Sequence, residues 1–239
     1  MKEFLSTRRA LLIGVSVPVT IIVTIFVFLL FFKEEAHIEN GGVAFVRGES
    51  VSEWTWEGPA ILDDAWGVRV QDDIEKLSAL VGTGEYNDYD IYVGLAGQYE
   101  LLGDGARAYE YLTRAIEVDG TQGLAYHNLG HLLTRLGALH TARNVFLKAV
   151  ETEPVFAQYH IAYLYHLTEH FSEDSSAITD AFLFGKESVQ HGEIYIIYAR
   201  WLSKMNRVQE AISVWQEART LVSHTDMIDR EILKLEARL

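Results

Sequence analysis

The chain has 239 residues, 49% of them hydrophobic, enough for one domain of ordinary size plus an anchor. Thirty-four acidic residues against twenty basic ones leave a formal net charge of -14; neutralising phosphates needs Lys and Arg, so nucleic-acid binding and attraction to an anionic lipid surface are disfavoured, whereas a basic partner or simple solubility fits. The absence of cysteine removes disulfides, thiolate metal sites, a thiol nucleophile and a lipoprotein anchor together.

The first element in chain order is residues 10–32, ALLIGVSVPVTIIVTIFVFLLFF, a run of 23 without one charge. At about 1.5 Å per residue a helix of that length crosses a hydrocarbon core of roughly 30 Å with some tilt. A cleaved signal would have an apolar region of about 7–15 residues and a small-x-small cleavage site. Here the run instead ends in Phe31-Phe32-Lys33-Glu34-Glu35, which predicts an uncleaved transmembrane signal anchor. Lys2, Arg8 and Arg9 precede the span, and only Lys33, beside two glutamates, follows it closely. The excess of basic residues before the span puts residues 1–9 in the cytoplasm. The expectation is a single-pass protein of the cell (inner) membrane with an extracytoplasmic C-terminal domain. Pro18 inside the span reads as a local bend. The first 32 residues carry +2, so residues 33–239 carry -16.

Residues 33–87 form the predicted linker and Trp-rich capping stretch. Residues 33–42 are polar and aperiodic. Val43, Phe45 and Val51 give weak strand character. Trp54, Trp56 and Trp66 are dense; they read either as an aromatic belt or partner patch, or as side chains packed on the first repeat as a cap, the reading burial favours. Ile74, Leu77, Leu80 and Val81 predict a short amphipathic helix over 72–81, ended by Gly82 and Gly84.

A period of 34 residues then sets in. Tyr92 falls on Tyr126, Leu95 on Leu129, Ala96 on Gly130 and Gly103 on Gly137. Further on, Ala108 falls on Ala142, Leu112 on Phe146, Ala115 on Ala149 and Gly120 on Pro154. Large, small and turn residues recur in the order a helix-turn-helix unit needs, since two helices nest only where one offers Gly or Ala to a bulky knob on the other. Tyr195, Tyr198, Ala199, Leu202, Ala211, Trp215 and Ala218 reoccupy these columns from Gly192. The unit between departs from them. Leu164 replaces the small residue, Phe171 the turn glycine, and one residue is inserted near Ser172–Ser176, which predicts a splayed pair.

These residues resemble the tetratricopeptide repeat over about 88–239. The resemblance implies an all-α, right-handed helical solenoid of four helix pairs near 89–122, 123–156, 157–191 and 192–224. A capping helix follows at 225–239, its apolar face formed by Ile228, Ile232, Leu235 and Leu239. It also implies a concave groove that takes a protein or peptide partner. The groove columns are Asp90, Val93 and Gly97; Leu124, His127, His131 and Arg135; Gln158, Ile161, Tyr165 and Glu169; and Ile196, Arg200 and Lys204. Val93 and Gly97 stand where the family's chaperone-tail clamp needs a cation and an amide, so that ligand is not expected.

His127, His131, Arg135, Tyr165, Arg200 and Lys204 are the predicted partner-binding residues. Tyr165 and the histidines suit an apolar side chain, and the cations suit an acidic one. His127-Asn128-Leu129-Gly130-His131 has the two-histidine spacing of a zinc peptidase helix, but Asn128 stands where the general base belongs. With no phosphate loop and no nucleophile elbow either, no catalytic residue, metal or cofactor is predicted. The expected function is a membrane-anchored scaffold or adaptor, as in envelope, pilus or secretion assembly. A metal-dependent hydrolase using His127 and His131, or a self-associating structural protein, is the alternative.

Overall fold

The computed structural model describes residues 43–61 and 64–239; the apolar run at 10–32 lies outside them. No helix among the described residues is long and apolar enough to cross a membrane. The described residues form ten α-helices and no strand, only an isolated bridge between Thr55 and Asp104.

A lone helix, α1 (Ala65–Leu80), precedes four pairs: α2 (Asp88–Leu102) with α3 (Gly105–Val118), α4 (Gly123–Arg135) with α5 (Leu139–Thr152), α6 (Ala157–His170) with α7 (Ser175–Ser188), and α8 (Gly192–Lys204) with α9 (Val208–Arg219). Helix α10 (Asp226–Glu236) closes the row against α9. Each helix packs on the next in sequence, and α6 also touches α4 and α8, so the first helices of successive pairs share one side of the stack. One continuous core runs through it, with Tyr89, Leu95, Leu112, Leu129, Phe146, Leu164 and Trp215 all at most 1% exposed. The small columns are buried as well. Ala96, Ala108, Ala115, Ala142 and Ala149 let neighbouring helices approach to contact.

Helix α1 starts seven residues before the position the periodicity suggests. Asp64 sets that start, its carboxylate accepting from the amides of Trp66 (2.8 Å) and Gly67 (2.7 Å). Trp66 itself is left 42% exposed. At the other end of α1, Leu77 packs over Gly94 of α2.

In the third pair the first helix reaches further before the chain turns. Ala157 to Ser175 is 18 residues, against 16 from Gly123 to Leu139. The longer turn, 171–174, is held by the Trp201 indole N–H donating to Ser172 O (2.9 Å) and by an Arg143–Asp174 ion pair (3.0 Å). Helix α6 meets α8 about as extensively as its own partner α7, which is the predicted splay.

Residues 43–61 form an extended strap tied to the interhelix turns of the first two pairs. Trp56 N–H donates to Gly103 O (3.0 Å), Ala60 N–H to Leu101 O (3.0 Å) and Gly105 N–H to Trp54 O (2.8 Å). Glycine is needed where the strap crosses. Gly103 has φ +77°, and a Cβ on Gly105 would lie 2.7 Å from both Trp54 O and the Trp56 ring. Phe45 stacks on Tyr109, Trp54 meets both rings edge to face, and the Tyr109 hydroxyl donates to Val43 O (2.6 Å). The expected Trp cap on the first repeat is therefore formed by Trp54 and Trp56.

The strap also completes a helix. Ala138, at the N-cap of α5, has no side chain with which to cap it. Glu49 takes that role from 91 positions away, accepting from His140 N–H (2.6 Å), Thr141 N–H (2.7 Å) and the Thr141 hydroxyl (2.7 Å). Partial burial alone would push the Glu49 carboxyl up. The Thr141 hydroxyl and the two amides outweigh that and hold it below the ordinary carboxylate range. Its contribution is thus present above the unfolded pKa and lost as pH falls through the folded one. Glu49→Ala is expected to cost about 1–2 kcal/mol in urea denaturation at neutral pH, and Glu49→Gln less, because one carbonyl oxygen still accepts. An unchanged denaturation midpoint in Glu49→Ala would show that the strap leaves α5 uncapped in solution.

Candidate functional site

The candidate site lies on the side shared by α4, α6 and α8. Its positions are set by the core on the opposite faces of these helices: Leu129 and Leu133 fix α4, Leu164 and Leu167 fix α6, and Ala199 and Leu202 fix α8, all at most 1% exposed. The helical period then turns Tyr165, Arg200 and Lys204 outward, with Tyr165 57% exposed.

These three residues meet in one cleft between α6 and α8, completed by Thr168, Glu169, Ile197 and Trp201. Its volume is about 90 Å³, room for a side chain. Thr168, Ile197 and Trp201 are additions to the predicted set. Helix α8 brings Ile197 rather than Ile196 to the cleft wall, although both are 6% exposed and belong to the core. Spacing of four between Ile197 and Trp201, matching Arg200 to Lys204, was the available signal.

The other predicted residues behave differently. His127 is only 8% exposed, its ring set against His131 (4.6 Å between centroids), Tyr159 (5.1 Å) and Phe146 (6.2 Å). It therefore forms part of the floor and cannot grip a partner. His131 keeps an exposed edge while packing edge-on against Phe146 at 5.0 Å. Arg135 is taken by the strap: its guanidinium lies 4.9 Å from the Trp56 ring centroid. Of the six predicted residues, Tyr165, Arg200 and Lys204 come together, His131 stands beside its buried neighbour, and Arg135 is occupied within the chain.

Burial dominates the histidine chemistry. Desolvation, with a smaller push from His131, takes His127 down to about 4. Desolvation likewise takes His166 to about 4, against a partly restoring hydrogen bond to Leu139 O (3.0 Å). Partial burial pushes His131 down too. His127 Nδ1 has no hydrogen-bond partner, and its ring meets His131 edge to face. Among the described residues no three His, Asp or Glu side chains converge at metal-ligating positions. The two-histidine spacing thus packs rings into a floor, and the hydrolase alternative gains no support from it.

A row of antiparallel helix pairs with an open face on the first helices defines a tetratricopeptide-type helical solenoid. The family model described as a tetratricopeptide repeat matches residues 124–156, so the chain carries that repeat across α4 and α5. Solved structures share the fold. One titled "Crystal structure of MamA" aligns at TM-score 0.52 with 16% identity, covering 75% of this chain and 100% of that one. MamA from AMB-1 aligns at 0.50 with 19% identity over 65% and 84%, and a thermophilic TPR protein of Thermus thermophilus at 0.50 with 15% identity over 71% and 92%. No curated protein matches the sequence significantly.

Proposed function

We propose that the chain is a membrane-anchored, non-catalytic scaffold whose solenoid holds a partner protein against the face shared by α4, α6 and α8, outside the cytoplasm. The observation that carries the binding reading is the Tyr165 cleft. A tyrosine 57% exposed, standing over the buried Ile197 and Trp201, offers a partner apolar surface rimmed by charge at no cost to the core. The solenoid fold supports it, since stacked helix pairs make extended surfaces suited to protein ligands. The uncharged run at 10–32 and the basic residues before it support the anchor and its orientation. A part in envelope, pilus or secretion assembly is consistent with such an anchor.

Two measurements test this. Because the chain has no cysteine, Ser176→Cys, on an exposed position, gives a single thiol. A membrane-impermeant maleimide added to intact cells is expected to label it, and labelling only after permeabilisation would reverse the orientation. A photo-reactive phenylalanine analogue at Tyr165 is expected to give one dominant protein adduct in cells. The same analogue at Lys148, exposed on α5, is expected to give none. Equal capture from both positions would move the binding surface off the cleft.

A further inference from the structure

The cleft carries a charge pattern that narrows its ligand. Arg200 and Lys204 stand one helical turn apart on α8, both exposed and both lining the cleft. Like charges at that spacing repel, a small cost unless something neutralises them. Nine other cations among the described residues are paired with a carboxylate, yet neither of these two has an ion pair or side-chain hydrogen bond to a described residue. In a chain with 34 acidic residues, two neighbouring cations without a carboxylate leave a local site for one. Lys204 sits in the last turn of α8, where the helix dipole favours a cation; Arg200, a turn earlier, has no such reason. Glu169 lines the same cleft, so two positive charges face one negative charge and the balance favours a single incoming acid.

We propose that this cleft takes an acidic side chain from an extended segment of the partner protein, its carboxylate between Arg200 and Lys204 and a neighbouring apolar side chain on the Tyr165 ring. This deepens the groove reading and rests on it. The planar guanidinium of Arg200 supplies paired donors to the carboxylate, and the Lys204 ammonium adds a movable third contact. Tyr165 adds the apolar contact that raises such a pair above an ordinary surface ion pair. The net charge of -14 does not prevent approach, since at physiological salt charges beyond about 8 Å are screened while the cations in contact are not.

The test uses the full chain in detergent micelles and a phage-displayed library of random twelve-residue peptides. Selected peptides are expected to carry Asp or Glu next to an apolar residue. Measured by fluorescence anisotropy as synthetic peptides, they are expected to bind about tenfold more weakly to Arg200→Ala/Lys204→Ala, and more weakly as salt rises. Both side chains are exposed, so the melting temperature of the double variant serves as the folding control. Peptides that are neutral or basic but depend on Tyr165 would overturn the acidic ligand and leave the groove reading standing. Binding indifferent to Tyr165→Ala and to the double variant, or no selected peptide, would overturn both.

Discussion

Acidification from about pH 7 to about pH 4.5 is expected to remove about 4 kcal/mol from the stability of the domain, roughly half from each of two histidines. His127 and His166 are 8% and 2% exposed, and burial holds both near 4 when folded, against an ordinary value of 6.5. Between those values the unfolded chain binds a proton at each site and the folded chain does not. Stability therefore falls as pH drops below 6.5, and the loss levels off below 4. Burial holds both rings neutral, against the partly restoring bond from His166 to Leu139 O. Leu139 O can only accept, so His166 carries its proton on Nε2 and leaves Nδ1 facing the Thr134 hydroxyl at 3.0 Å. His127 Nδ1 has no partner; unprotonated it is an idle acceptor, whereas protonation would bury a donor with nothing to receive it. His160, whose Nε2 meets Pro154 O at 2.8 Å, is also pushed down by burial and adds to the same slope.

Urea denaturation across this pH range, repeated on His127→Leu and His166→Gln, checks it. Each variant is expected to flatten the pH dependence by about half, whatever it does to stability at neutral pH. A slope untouched in both would place the acid sensitivity elsewhere, in the carboxylates. Because both rings underlie the face shared by α4 and α6, partner binding is expected to weaken over the same interval.

The same burial explains what could be read from the sequence. The period of large and small residues was visible because the helix contacts are made by side chains at fixed spacing: Ala96, Leu112, Phe146 and Ala149 are all buried where their columns fall. Tyr165, Arg200 and Lys204 followed from that register. His127 did not, because the buried edges of Tyr159 and Phe146 close over it, a contact made across two helices and absent from any one-helix pattern. Arg135 was hidden by Trp56; the tryptophan cap was foreseen, but not the route of the strap that carries it. The strap docks through backbone groups of Trp54, Trp56 and Ala60, which leave no trace in side-chain periodicity. The early start of α1 was equally silent, since Trp66 and Val68 on its first turn are exposed and form no apolar stripe. One capping carboxylate, Asp64, decides it.

Phe146→Ala is expected to cost about 3–5 kcal/mol, the range for removing a buried aromatic ring. Phe146 is 1% exposed and lies between the rings of His131 (5.0 Å) and His166 (5.2 Å), directly over Gly130. Its loss opens a cavity whose lining histidines regain access to water, so the acid slope should shrink as stability falls. Gly130 makes the expectation sharper. A Cβ there would lie 2.6 Å from two atoms of the Phe146 ring, so Gly130→Ala in the native background forces a packed ring to shift, at about 1–3 kcal/mol. Against that stands about 1 kcal/mol of helix propensity gained by alanine. Once the ring is gone the clash is gone, and only the propensity and some cavity filling remain. Gly130→Ala should therefore destabilise the native protein and stabilise Phe146→Ala. That reversal of sign is a coupling of roughly 1–3 kcal/mol in a double-mutant cycle read by urea denaturation. Additive effects would mean that α4 and α5 do not nest at this point, and the hole-and-knob contact on which the second repeat is built would have to be placed elsewhere.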